Sequence, residues 1–398
     1  MGVTHTSADG GQTASDVRPA EVASFALADH AIPTGREEAW RFTPLSRLRG
    51  LHDGTAVTSP EGKVVVEVDA APQVRVETVD RTDARLNRSG PPNDRVAAQA
   101  WDALEQATVI TVPRELVTSR PTVVTRRGEG SDGAAFGHLL VELEAFASAV
   151  VVVDHVGSAT YADQLEVVLG DGAQLTLVSL QEWADDTVHV SSHRVRIGRD
   201  ARLRHVVVTM GGDVVRLHPV VDFDGPGGDV ELLGLYFAGP GQHLEHRLFI
   251  DHSVPHCRSN VTYKGALQGT DARTVWIGDV LIRGNAIGTD TYEMNRNLVL
   301  TDGARADSVP NLEIETGEIV GAGHASATGR FDDEQLFYLQ SRGIPEEEAR
   351  RLVVRGFFAD VLQKIGIPEL AERLLAAVDA ELERTQPLQG RILEGAKA

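Results

Sequence analysis

The stretch GDGAQLTLVSLQEWADDTVHVSSHRVRIGRDARL, residues 170–203, decides the fold reading. It opens and closes on the same turn chemistry, GDGAQL and GRDARL, with two runs of β-branched and apolar residues between. Ala173 and Ala201 hold equivalent places 28 residues apart, and the same step leads on to Asp229 in GPGGDVEL and to Cys257 in PHCRSNV. A fixed period with turn residues at the corners and strands between them points to a β-solenoid, in which each coil stacks on the last. A sandwich or barrel is the alternative, since short strands at regular spacing also suit those folds.

Outward from this stretch, residues 108–320 continue as short strand-like runs such as HLLVELEAF, RLRHVVVT, DVELLGLYF and TVWIGDVLI, separated by Gly, Asp and Pro. No amphipathic helix interrupts them. A doubly wound α/β fold, which needs crossover helices between its parallel strands, is therefore excluded. The chain divides into a tail at 1–17 too poor in apolar residues to order itself, a mixed α/β region at 18–107, a β core at 108–329 and a helical domain at 330–398. Within the mixed region we expect a short helix over 18–31, an aromatic anchor at Trp40 and Phe42, strands at 63–68 and 73–79, and a helix over 94–104. The helical domain begins with FDDEQLFYLQSRG, where the Asp pair caps and Gly343 terminates. Two further helices follow, punctuated by Gly366 and Pro368, and the last twelve residues are expected to fray.

Hydrophobic residues make up 42% of the 398 and charged residues 24%, the balance of a globular protein. The net charge of -20 is spread along the chain and repels phosphate backbones, which argues against a nucleic-acid partner. The start lacks the basic and apolar regions of an export signal, and no apolar run is long enough to span a bilayer, so a cytoplasmic protein without a membrane partner is expected.

A single cysteine, Cys257, precludes an intramolecular disulfide and a thiolate cage made by this chain alone. It reads either as a small buried hydrophobe or, if accessible and deprotonated, as an iron or persulfide ligand. Histidines fall at 243, 246, 252 and 256, but HLEH lies in an extended run, where positions i and i+3 face opposite sides. His324 is different. It stands among Gly, Ala, Ser and Thr in GAGHASATG, residues 321–329, where small neighbours let a ligand or partner approach the imidazole. No nucleophile elbow, P-loop or dinucleotide-binding glycine motif is present.

Several ordered blocks together carry a resemblance: WRFTPLSRL (40–48), TVWIGDVLI (274–282), NRNLVLTDGARADSVPNLEI (295–314), GHASATG (323–329), DEQLFYLQSRGI (333–344) and EEEARRLVVRGFF (346–358). They are similar to the SufB/SufD family of iron-sulfur cluster assembly scaffolds, with the early Trp40 segment and the length closer to the SufD branch. The match is strongest over 245–365. The resemblance implies a right-handed parallel β-helix core and a non-catalytic scaffold that pairs edge to edge with a SufB-like paralogue. It also implies that a SufC-like ATPase engages the helical domain, for which Phe337, Tyr338, Arg342, Phe357 and Phe358 are the candidate surface.

The family's turn written C-S-H-G-A-T aligns its histidine with His324 and its cysteine with Ala322. The resemblance thus implies that His324 ligates a transient iron-sulfur cluster at the SufB interface, with cysteine ligands supplied by SufB. Cys257 is the second metal candidate. A reduced flavin cofactor and a homodimer of the isolated chain are further expectations. The rival readings are a β-helix enzyme acting on a carbohydrate or small metabolite, with paired carboxylates in a groove, and an interaction module without metal.

Overall fold

The computed structural model describes residues 23–58, 62–331 and 333–384. The tail at 1–17 and the last twelve residues lie outside them. The chain folds as a parallel β-solenoid of about eight turns with a helical C-terminal region. Two short strands, β1 (Val64–Asp69) and β2 (Arg75–Asp80), pair antiparallel with β4 (Thr122–Leu143) and β3 (Gln106–Val112). The strand β4 and its successor β5 (Ser148–Leu169) each run 22 residues and bend from one wall of the solenoid to the other. The first half of β5 pairs with β6 (Gln174–Trp183) and its second half with β7 (Val188–Ile197).

From there the chain alternates between walls. One wall is β6, β8 (Arg202–Thr209), β10 (Asp229–Ala238), β12 (Arg258–Leu267), β14 (Asp290–Val299) and β16 (Gly321–Arg330). The other is β7, β9 (Val214–Phe223), β11 (His243–His252), β13 (Arg273–Ile282) and β15 (Arg305–Ile314). Every pairing between these strands is parallel, which rules out the hairpin-built sandwich and barrel.

Register refines the repeat. Arg202 pairs with Gln174 on one side and Asp229 on the other, so the corner residues are Ala173, Ala201, Gly228 and Cys257. Gly228, not Asp229, holds the third corner, because a Cβ there would sit 2.6 Å from the Phe223 ring. The period then drifts where the corner after β13 takes residues 283–289, against 253–257 one coil earlier.

Alternate residues of each strand fill the interior, including Leu175, Leu177, Leu203, Val230, Leu232 and Val261. Many of those pointing out, such as Val178, Val206 and Leu233, are apolar and buried too, because each wall carries a cover. Over the β6–β12 wall lie α3 (Glu346–Ile365) and α4 (Pro368–Arg384), whose Val354, Phe358, Val361, Leu374 and Val378 pack on Val178, Val206, Leu233 and Phe237. Over the other wall lie Trp40, Leu48 and Leu51 with α1 (Arg95–Asp102), packed on Val188, Val190 and Val214. Asp94 caps α1 by accepting from the Ala97 N–H.

In place of the helix expected over 18–31, the described part has one 3-10 turn at Leu27–Asp29. The Arg95 guanidinium donates to the Leu27 and His30 carbonyls, which a continuing helix would have needed. A shorter helix, α2 (Asp333–Ser341), precedes α3. Among the described residues no helix is long and apolar enough to cross a membrane.

Candidate functional site

Among the described residues the strand order ends at β15 on one wall and at β16 on the other, so each presents an unpaired row of backbone groups at the last coil. Pro310, in β15, occupies a ladder position without an N–H to donate, which an edge strand tolerates. His324 sits in β16 directly across from Glu293 of β14, in the inward-facing column that includes Ala322. Among the described residues no further coil covers this column, and the His324 side chain is 44% exposed.

Glu293 lies just beneath. Its side chain is 1% exposed, and His324 Nδ1 stands 3.8 Å from Oε1. Burial, and then the nearby Asp279 carboxylate, push the Glu293 pKa up to about 8, against a partial offset from the Asn311 main chain. Asp279 itself accepts from Asn311 Nδ2 at 2.7 Å and faces Arg247 at 3.6 Å. The open end of the solenoid therefore combines an accessible imidazole with a buried carboxyl group. The sequence singles out His324 as a candidate and gives no sign of Glu293. The register of β14 on β16, which the drifting repeat obscures, is what joins them.

Cys257 is fully buried, with Sγ 3.6 Å from the Gly225 carbonyl, and burial raises its pKa. It lies two coils and four residues from the His324 position. At about 4.8 Å per coil and 3.3 Å per residue they are roughly 16 Å apart, too far to share one ion. The accessible, deprotonated alternative for Cys257 is thereby corrected to the buried hydrophobe. The HLEH pair separates as its extended setting requires: His243 pairs outward with Glu245, and His246 points inward to Thr209 and stacks on Tyr236.

On the helical side, Phe337 and Tyr338 of α2 are 72% and 56% exposed, and Arg342 donates to the Tyr338 hydroxyl. Phe357 is partly buried beneath the Lys264 ammonium. Phe358 is fully buried against the solenoid, so it belongs to the core and is withdrawn from the candidate docking surface.

A second polar cluster fills the interior near the first coils. There the ligand atoms of His155, Asp163 and His189 lie within 4.8 Å of one another. Arg126 is ion-paired with Asp163, and His189 Nδ1 engages Gln181 and Trp183, so a guanidinium already balances the carboxylate. A groove of about 530 Å³ on the β6–β12 wall contains Asp229 and Glu231. Burial works to raise Glu231, but Lys364 and Arg204 grip both oxygens and hold its pKa below the usual range, the opposite of what a general acid requires.

The described residues thus place the chain in the class of parallel β-solenoids, clad on both walls and with an accessible histidine on the last strand. Residues 125–357 match the SUF system FeS cluster assembly SufBD core domain. The chain belongs to the SufBD family of iron-sulfur cluster assembly proteins and is SufD-like within it. It is 61% identical over 370 residues to a SufBD family protein of Mycobacterium bovis, covering 92% of this chain and 93% of that one. A second SufBD family protein of the same organism is 26% identical over 219 residues, which are 55% of this chain and 26% of that protein. The iron-sulfur cluster assembly protein SufD of Escherichia coli is 23% identical over 394 residues, with 88% and 89% covered.

Proposed function

We propose that this chain is the non-catalytic SufD-type scaffold of a cytoplasmic complex with a SufB-like paralogue and a SufC-like ATPase. Its terminal coil meets the SufB-like chain edge to edge, and His324 lends an imidazole to a cluster whose thiolates the paralogue supplies. The observation that carries this reading is the placement of His324 on the last, unpaired strand, exposed at the end of an otherwise covered column. A nitrogen ligand suits a cluster that must leave again, because one imidazole is more easily displaced than a thiolate cage. The presence of two family proteins in one organism, one much longer than this chain, supports a paralogous partner. The exposed Phe337 and Tyr338, braced by Arg342, are the surface we assign to the ATPase.

The test is co-purification of the chain with its SufB-like and SufC-like partners, wild type against His324→Ala. The expected result is an intact complex in both and a collapse of bound iron and sulfide in the variant. An intact complex with unchanged iron and sulfide would overturn the ligand role, and failure of wild type to assemble would overturn the partnership.

A further inference from the structure

Among the described residues neither Oε1 nor Oε2 of Glu293 has a side-chain hydrogen-bond partner, and the Asn311 main chain offers only a weak one, although the side chain is 99% buried where His324 is half open. Such groups are rare in folded proteins, because a buried oxygen without a partner forfeits its hydration for nothing in return. Space has been left for this one. Across the interior stands Gly278, where any Cβ would lie 2.3 Å from Glu293 Oε2. The carboxyl group thus fills a niche opened by a glycine, with His324 directly across from it on the last strand.

The spacing of the two side chains suits a shared cation. Two donors each about 2.1 Å from one ion stand about 3.0 Å apart at a right angle and about 4.2 Å apart when opposed. The 3.8 Å between His324 Nδ1 and Glu293 Oε1 falls inside that span, beyond hydrogen-bond length. Imidazole nitrogen and carboxylate oxygen are the borderline donors that divalent first-row metals accept, whereas the hard cations of group two prefer oxygen alone.

We infer that Glu293 and His324 form a divalent-metal site belonging to this chain alone, in which the imidazole Nδ1 and one carboxylate oxygen hold a ferrous-type ion whose remaining positions stay open. This deepens the scaffold reading and rests on it only for the identity of the metal. The chain would then arrive at its partner's edge already carrying an ion, rather than contributing one nitrogen after the cluster has formed. The open positions face the unpaired end of the solenoid, so ligands from another chain can complete the shell.

The test is anaerobic titration of the full-length chain, without partners, with ferrous ion, comparing wild type, Glu293→Gln and His324→Ala by calorimetry. Wild type is expected to bind one ion, and each variant to weaken binding by about tenfold or more, in the range typical of losing a coordinating or orienting group. Gln keeps the volume of Glu and its place beside Gly278. If melting nonetheless shows a misfolded variant, Glu293→Asp, which draws the carboxylate back by one methylene, must show the same loss. Binding by Glu293→Gln equal to wild type overturns the inference, as does the absence of ferrous binding by wild type. Because the scaffold reading is judged separately, by iron and sulfide in the His324→Ala complex, either can fail without the other.

Discussion

Histidine 205 offers a sharp check on the solenoid interior. It lies in β8, points inward, is fully buried, and neither ring nitrogen has a hydrogen-bond partner among the described residues. Burial alone lowers its pKa to about 4, against about 6.5 in an unfolded chain. The folded value is the depressed one, so as pH falls the unfolded state takes up the proton first. Stability is therefore intact above about pH 6.5 and declines as pH falls toward 4. Linkage between these two values gives a loss of about 2 kcal/mol between pH 7 and pH 5 from this residue. Denaturant unfolding followed by tryptophan fluorescence, at both pH values, measures it in wild type and in His205→Leu. Neighbouring His193, whose ring lies 5.3 Å away, is present in both proteins, and because its depression is owed first to burial and then to His205, losing His205 lightens its own acid penalty and shifts the comparison in the same direction. Wild type should lose about 2 kcal/mol more than the variant over that interval, with unchanged slopes. Equal losses in the two proteins would refute the assignment of His205 as buried and neutral.

Two more perturbations separate the covers of the walls from their surfaces. Phe358→Ala should destabilise by about 3–5 kcal/mol in thermal or chemical unfolding, through the cavity left between α3 and the β6–β12 wall. Phe337→Ala, at an exposed position, should change stability by less than about 0.5 kcal/mol. Arg216→Ala should cost about 3–5 kcal/mol, because Glu245 would lose a buried guanidinium partner and Trp40 its cation. The loss should shrink when Glu245→Gln is added, and strict additivity in that double-mutant cycle would show that the pair is not coupled.

The solenoid was legible because its physical cause is local and repeated. Each coil needs a corner of small residues and strands with an apolar inner face, and the corners GDGAQL and GRDARL recur in the chain itself. The place of Gly228 was misjudged by one residue for an equally physical reason. The repeat in sequence counts residues, whereas the ladder counts hydrogen-bonded pairs, and corners of unequal length let the two fall out of step. His324 stood out because its small neighbours are contiguous with it. Nothing contiguous marks Glu293 or Gly278, which meet it from other coils.

By itself, then, the sequence determined the stacked-strand class, the family blocks, the helical C-terminal region and one exposed imidazole, all properties carried by neighbours along the chain. Tertiary structure alone decided which aromatic of the Phe357–Phe358 pair faces the core, that Cys257 lies out of reach of His324, and that a buried carboxyl group sits beneath that histidine. Those outcomes depend on register between coils some thirty residues apart, which no local pattern encodes.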